Sequence, residues 1–145
     1  MTAGDRRPRQ TVTGHEASEH DSPWAKQVAR VDDAVAGGDA TAMLRAWHAA
    51  CHEALGSQQW EPMIAVGDAA LRVGRATGFT IAFGTKARQA YQVALFRAHK
   101  QAAVEGVRRA AERFGELGDR EVAEQALRMA HGLDERASVR DLRPQ

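Results

Sequence analysis

The chain has 145 residues, of which 43% are hydrophobic, 27% charged and only 6% aromatic, and twenty Lys+Arg against nineteen Asp+Glu leave a formal net charge of +1. That length sets one domain around one core, the near-neutral balance supplies no global charge to recruit nucleic acid, and the alanine-rich composition without β-branched runs favours helices throughout. The lone Cys51 excludes an intramolecular disulfide. No apolar run approaches the roughly 18 to 20 residues that span a bilayer, and the polar N-terminus has no signal-peptide core, so the expectation is a cytoplasmic protein without a membrane segment.

Residues 1 to 21 mix Gly, Pro, Ser, Thr, His and charge with almost no large apolar side chain. Such a stretch cannot offset the entropy of ordering and reads as a disordered tail. The folded part is expected over residues 22 to 133. Its first helix opens at Ser22, with Pro23 at the first helical position and Trp24, Val28, Val31 and Val35 on one face. Gly37-Gly38-Asp39 ends that helix, and a second from Ala40 to Leu55 turns Met43, Leu44, Trp47, Ala50, Cys51 and Ala54 inward.

Gly56 is expected as a C-cap. Ser57 then opens a third helix carrying Trp60, Met63, Ile64, Gly67, Ala70, Leu71 and Gly74 and running to about Ala76. Gly67 inside a helix costs on the order of 1 kcal/mol against Ala, and close backbone approach is the expected reason to carry it. Gly78 to Gly84 reads as a long connection in which Phe79, Ile81 and Phe83 either plug the end of the middle hairpin or form an exposed docking patch. A fourth helix is expected from about Thr85 to Lys100, with Ala87, Ala90, Tyr91, Ala94, Leu95 and Ala98 inward.

The last two helices are the most regular. Val107, Ala110, Ala111 and Phe114 recur at i, i+3, i+4 and i+7; after Leu117-Gly118-Asp119, Ala123, Ala126, Leu127 and Ala130 do the same. His131-Gly132 is expected to cap the sixth helix, leaving residues 134 to 145 as a frayed extension. The Gly118-Asp119 turn echoes Gly38-Asp39, and aligning the two brings Ala34 onto Phe114, Met43 onto Ala123, Trp47 onto Leu127 and Ala50 onto Ala130.

This hairpin resembles the tetratricopeptide repeat, a helix-turn-helix unit of about 34 residues. Val107 stands at that pattern's Trp position, Ala110 and Ala111 at its Leu-Gly, and Phe114 at its Tyr, while Ala123, Leu127 and Ala130 continue it; Glu135 stands where the pattern has Pro. The expected fold is therefore all-α, about six helices stacked as antiparallel hairpins in a short superhelix, the middle hairpin departing from the pattern through its long connection. The resemblance implies an adaptor or scaffold with a concave face for a peptide or another protein.

Catalytic signatures are missing: no G-x-S-x-G, Walker loop, H-E-x-x-H or G-x-G-x-x-G occurs. The expectation is a protein that is not an enzyme and holds neither cofactor nor metal. His48, Cys51 and His52, with Glu53 adjacent, have metal-ligand spacing, against which stands the simpler arrangement of two solvated histidines beside a thiol in the core stripe. Charge is uneven along the chain. Val31 to Leu71 carries six acidic residues against Arg45, and Lys86 to Arg113 carries seven cations against Glu105 and Glu112. That polarity suits head-to-tail self-association, or nucleic-acid binding through the basic region 86 to 113, although ring side chains for base stacking are sparse there.

The resemblance places the partner surface on the first, third and fifth helices. Superposing the units on Val31, Gly67 and Ala111 aligns Asp32, Asp68 and Glu112 as an acidic ladder. Val28 and Ile64 lie one turn before the first two carboxylates and Val35 and Leu71 one turn after, while Arg108 and Gly115 hold those places in the last unit. The expected partner is an extended or helical peptide carrying a basic residue between apolar anchors.

Overall fold

A computed structural model describes residues 22–142, which form six α-helices and no strand among the described residues: α1 (Pro23–Gly37), α2 (Ala40–Ser57), α3 (Glu61–Thr77), α4 (Thr80–Lys100), α5 (Val104–Glu116) and α6 (Arg120–Asp141). The expected tail, residues 1 to 21, and the last three residues lie outside the described range. Each helix packs against its neighbours in the chain, α3 also touches α1 and α5, and α4 touches α6. Three antiparallel hairpins are thus stacked with α1, α3 and α5 in one layer and α2, α4 and α6 in the other.

The turns follow from local chemistry. Gly38 takes a left-handed φ of 76° and returns its N–H to Ala34 and Val35, and Asp39 then caps α2 by accepting from the Thr41 N–H at 3.0 Å. Gly118 (φ 84°) closes α5 in a Schellman turn, with its own N–H on the Gly115 carbonyl and that of Asp119 on Phe114. Ala102 does the same after α4 at φ 54° without glycine's freedom, as Ala102 N–H reaches His99 and Ala103 N–H reaches Ala98.

Four boundaries differ from the sequence reading. Gly56 is not a cap: α2 runs to Ser57, and Gln58 (φ 59°) makes the left-handed turn. That turn is held from α4, because Arg97 donates to the carbonyls of Ala54, Leu55 and Gln59 and Gln101 donates to that of Gln58. α3 accordingly starts at Glu61, not near Ser57, with Trp60 at its N-cap.

The third difference is at residues 78 to 84, which are not a long connection. Only Gly78 and Phe79 separate α3 from α4, and Phe83 N–H already donates to the Phe79 carbonyl at 3.1 Å. The middle hairpin is as tight as the others. The Phe-rich stretch is helical because one of its faces is buried: Phe83 and Gly84 turn inward, with Phe83 meeting Trp47 edge-on at 6.0 Å. Phe83 plugs the hairpin end, whereas Phe79 and Ile81 stay 61% and 87% exposed. Finally, Gly132 does not cap α6, which continues as helix to Asp141 past the expected frayed boundary.

The core is small-residue and helix-derived. α3 sits at its centre, with nine of its residues buried, and Gly67 there faces the ring of the fully buried Tyr91. The four stripe residues of α5 are all buried, as are Ala123, Ala126 and Ala130, but Leu127 is 54% exposed on the side of α6 away from the stack. Its expected inward place is corrected by the close α5–α6 packing, in which Ala123, Ala126 and Ala130 are the buried residues of α6. Trp47 keeps its indole N–H satisfied on the Val66 carbonyl at 3.1 Å.

Candidate functional site

The layer of α1, α3 and α5 presents a cleft of about 440 Å³ between α3 and α5. Asp68, Leu71, Arg72 and Arg75 line it from α3, spaced i, i+3, i+4 and i+7, and Glu112, Arg113 and Glu116 line it from α5. Both sets are single helical faces, so helix geometry alone delivers seven side chains to one place.

Three of the residues expected on the partner surface, Asp68, Leu71 and Glu112, do line this cleft. Asp32 stands beside it on α1, joined to Arg72 at 2.8 Å. The other expected contacts do not come together there. Ile64 is 4% exposed and belongs to the core, and Val28 and Val35 are partly buried against that same core, so the apolar anchors are consumed by packing between layers. Arg108 turns toward α6 and pairs with Asp134.

The acidic ladder is also not a row of free carboxylates. Asp68 accepts from the Tyr91 hydroxyl at 2.6 Å and from Arg113 through Nε at 2.8 Å and Nη2 at 3.2 Å. Arg113 donates a further bond to Glu112 at 3.2 Å. Across the layer the signs alternate: Asp32, Arg72, Asp68, Arg113, Glu112. Asp32 and Asp68 are each held by an arginine of the next inner helix, 40 and 45 residues further along the chain. The pairs tie hairpin to hairpin, and the Asp68 pair is the more sheltered of the two.

Electrostatics follow the geometry. Burial, reinforced by the hydrogen bond to Asp68, pushes the Tyr91 phenol well above its ordinary range. The hydrogen bonds to Asp68 hold the Arg113 guanidinium still more firmly protonated. Among the lining residues Arg75 and Glu116 make no hydrogen bond or ion pair among the described residues, although the Glu116 carboxylate lies in the field of the Arg113 guanidinium, so the cleft offers a cation and a carboxylate to an incoming group.

Arg72, Arg75, Arg113 and Glu116 were missed by the ladder argument. A signal for two of them was present, because Arg72 and Glu116 lie four residues after Asp68 and Glu112 on the same helical faces.

Elsewhere the cations of region 86 to 113 are largely engaged within the chain. Lys86 lies over the Trp47 ring at 5.3 Å, Arg88 pairs with Asp119, Arg97 is spent on three carbonyls, and Arg109 pairs with Glu105 above the Trp60 ring. The nucleic-acid reading loses most of the free charge it needs. His48 and His52 are exposed and Cys51 is half-buried, its thiol pushed up by burial; among the described residues no group of three or more His, Cys, Asp or Glu is placed to share a metal ion. No helix among the described residues is long and apolar enough to cross a membrane.

The chain matches no protein-family model, and no curated protein or solved structure matches it.

Proposed function

We propose that this chain is a non-enzymatic interaction module, tetratricopeptide-like in its layout, that seats a peptide segment of a partner protein in the cleft between α3 and α5. The observation that carries the reading is the cleft itself: an open concavity on the inner layer whose walls alternate in charge and which presents Arg75 and Glu116 without a hydrogen bond among the described residues. The ion pairs around it hold the walls at a fixed spacing, which lowers the ordering cost of binding.

The partner's chemistry is more specific than a single basic residue between apolar anchors. A Lys or Arg of the peptide meets Glu112 and Glu116, an Asp, Glu or terminal carboxylate meets Arg75, and a small apolar side chain rests on the half-buried Leu71. Asp68 acts as a wall that positions Arg113 and is not the group that meets the ligand.

A displayed random-peptide library selected on the full chain tests this. The enriched peptides are expected to carry a cation and an anion a few residues apart, and to lose about tenfold in affinity on a chain with Arg75→Glu and Glu116→Lys, as like charges meet. Peptides that bind the double variant as tightly as the original chain would refute the cleft as the site.

A further inference from the structure

The outer layer holds a second surface that the inner cleft does not involve. Between α2 and α4 the space is filled from α4: Phe83 meets Trp47, Lys86 lies over the same ring, and Arg97 reaches the end of α2. Between α4 and α6 a seam of small residues, Ala98 with Ala126 and Ala130, joins the helices at depth, and near the turn Arg88 bonds Asp119 and the Leu117 carbonyl. Beyond that tie two clefts of about 290 and 360 Å³ open in succession and share His99 as a common wall.

The first is apolar. Leu95 and Phe96 of α4 face Val122 and Met129 of α6, and Phe96 is 68% exposed, a large ring left in water with no role in the core. The second keeps an apolar floor, Val104 and Leu133, but Arg136 and Arg140 stand over it beside His99. None of these three makes a hydrogen bond or ion pair through its side chain among the described residues. Leu133 packs beside Val104 at the start of α5, and the last turns of α6 carry Arg136 and Arg140 past it, next to the α4–α5 turn at Ala102. From Val122 to Arg140 the groove follows α6 for about 27 Å, the length of roughly five helical turns.

We infer that this outer groove is a docking site for an amphipathic helix of another protein, with apolar residues at i, i+3 or i+4, and i+7 and a cluster of Asp or Glu at the end that meets Arg136 and Arg140. The apolar half sets the mode, a helix laid in a groove, and the cations set both the charge of the occupant and its direction. The exposed Val139 and Leu142 at the end of α6 stand among Arg136 and Arg140, so the same segment of a second copy would bring cation against cation, and the groove calls for an acidic partner instead. The inference stands apart from the inner cleft and does not rest on it.

The test is selection of a phage-displayed library of helix-forming 20-residue peptides on the full chain, followed by titration on two variants altered only at exposed positions, Phe96→Ser and Arg136→Glu with Arg140→Glu. Circular dichroism confirms that each variant keeps its helices. The expected result is a set of peptides acidic at one end of an apolar stripe, weakened at least tenfold by each variant and unaffected by Arg75→Glu with Glu116→Lys. Enrichment of Lys- and Arg-rich peptides, binding insensitive to both outer-groove variants, or no binder to this face would overturn the inference. So would size-exclusion showing a dimer that Phe96→Ser converts to monomer, since the occupant would then be a second copy.

Discussion

A Cβ placed on Gly67 would lie 2.4 Å from Cε1 of Tyr91, well inside van der Waals contact with the ring edge. The helix gives up about 1 kcal/mol of propensity at that position so that Tyr91 can pack fully buried with its hydroxyl on Asp68. Gly67→Ala is therefore expected to lower stability by about 1–3 kcal/mol, overpacking outweighing propensity. Gly132 is the opposite case. A Cβ there meets only the tip of Arg136 at 3.8 Å, so Gly132→Ala is expected to raise stability by about 0.5–1 kcal/mol. Thermal melts of the two variants should move in opposite directions.

Asp68 carries a pH signature through Tyr91. The phenol's ionisation range is raised in the folded state, so the folded chain binds that proton more tightly than the unfolded chain does. The resulting stability is fully present below the unfolded tyrosine value of about 10 and is lost as pH rises above it. Tyr91 is the only tyrosine in the sequence, so in Tyr91→Phe the tyrosine part of any alkaline loss is expected to vanish, which denaturant titrations at pH 8 and pH 11 would check. Asp68→Lys, by contrast, removes the acceptor of three hydrogen bonds and is expected to cost about 2 kcal/mol or more at neutral pH. It is unsuitable as a pure binding probe.

The position of Asp68 on the inner layer was legible from register alone. Its partner was not, because Arg113 comes from a helix 45 residues away and spacing within one helix carries no information about it.

At the level of elements, six helices and two of the three hairpin turns were readable because 3.6-residue periodicity and Gly-Asp punctuation agree there. The start of α4 was not. Its first turns contain Thr, Ile, Phe and a glycine, poor helix formers by propensity, and burial of Phe83 and Gly84 overrides that preference. The ends of α2 and α6 were misplaced for a related reason: Gly56 and Gly132 look like stops, yet neither has the left-handed backbone that a stop uses.

The α2–α3 turn is built from a distant side chain. Arg97 satisfies two terminal carbonyls of α2 and a third in the turn, so Arg97→Ala is expected to lower stability by about 1–3 kcal/mol and to loosen amide protection around Gln58. Ala102 holds a left-handed φ of 54° that alanine adopts at a cost. Ala102→Gly is expected to stabilise the chain by about 0.5–1 kcal/mol, which a urea titration would register as a raised midpoint at constant slope.

Over the whole molecule the two layers differ in what they leave open. The inner layer is bound hairpin to hairpin by Asp32–Arg72 and Asp68–Arg113 and keeps a charged cleft; in the outer layer side chains of α4 bridge to α2 through Phe83, Lys86 and Arg97, while an apolar cleft lies between α4 and α6. Of the uneven charge along the chain, the Asp68–Arg113 pair joins the acidic stretch to the basic one, while Arg88 and Arg108 meet acids further along, Asp119 and Asp134. Sequence position exposed the asymmetry but not its use, since ion pairs between stacked units depend on which faces the stack brings together.

The proposal that the α3–α5 cleft receives a peptide meets its most direct test in amide chemical-shift mapping of the labelled chain during titration with the tightest peptide selected on it. The account expects the largest shifts at Leu71, Arg75, Glu112 and Glu116, all abolished together in the Arg75→Glu and Glu116→Lys double variant. Shifts confined to α1 and α2, or spread unchanged in the double variant, would contradict it.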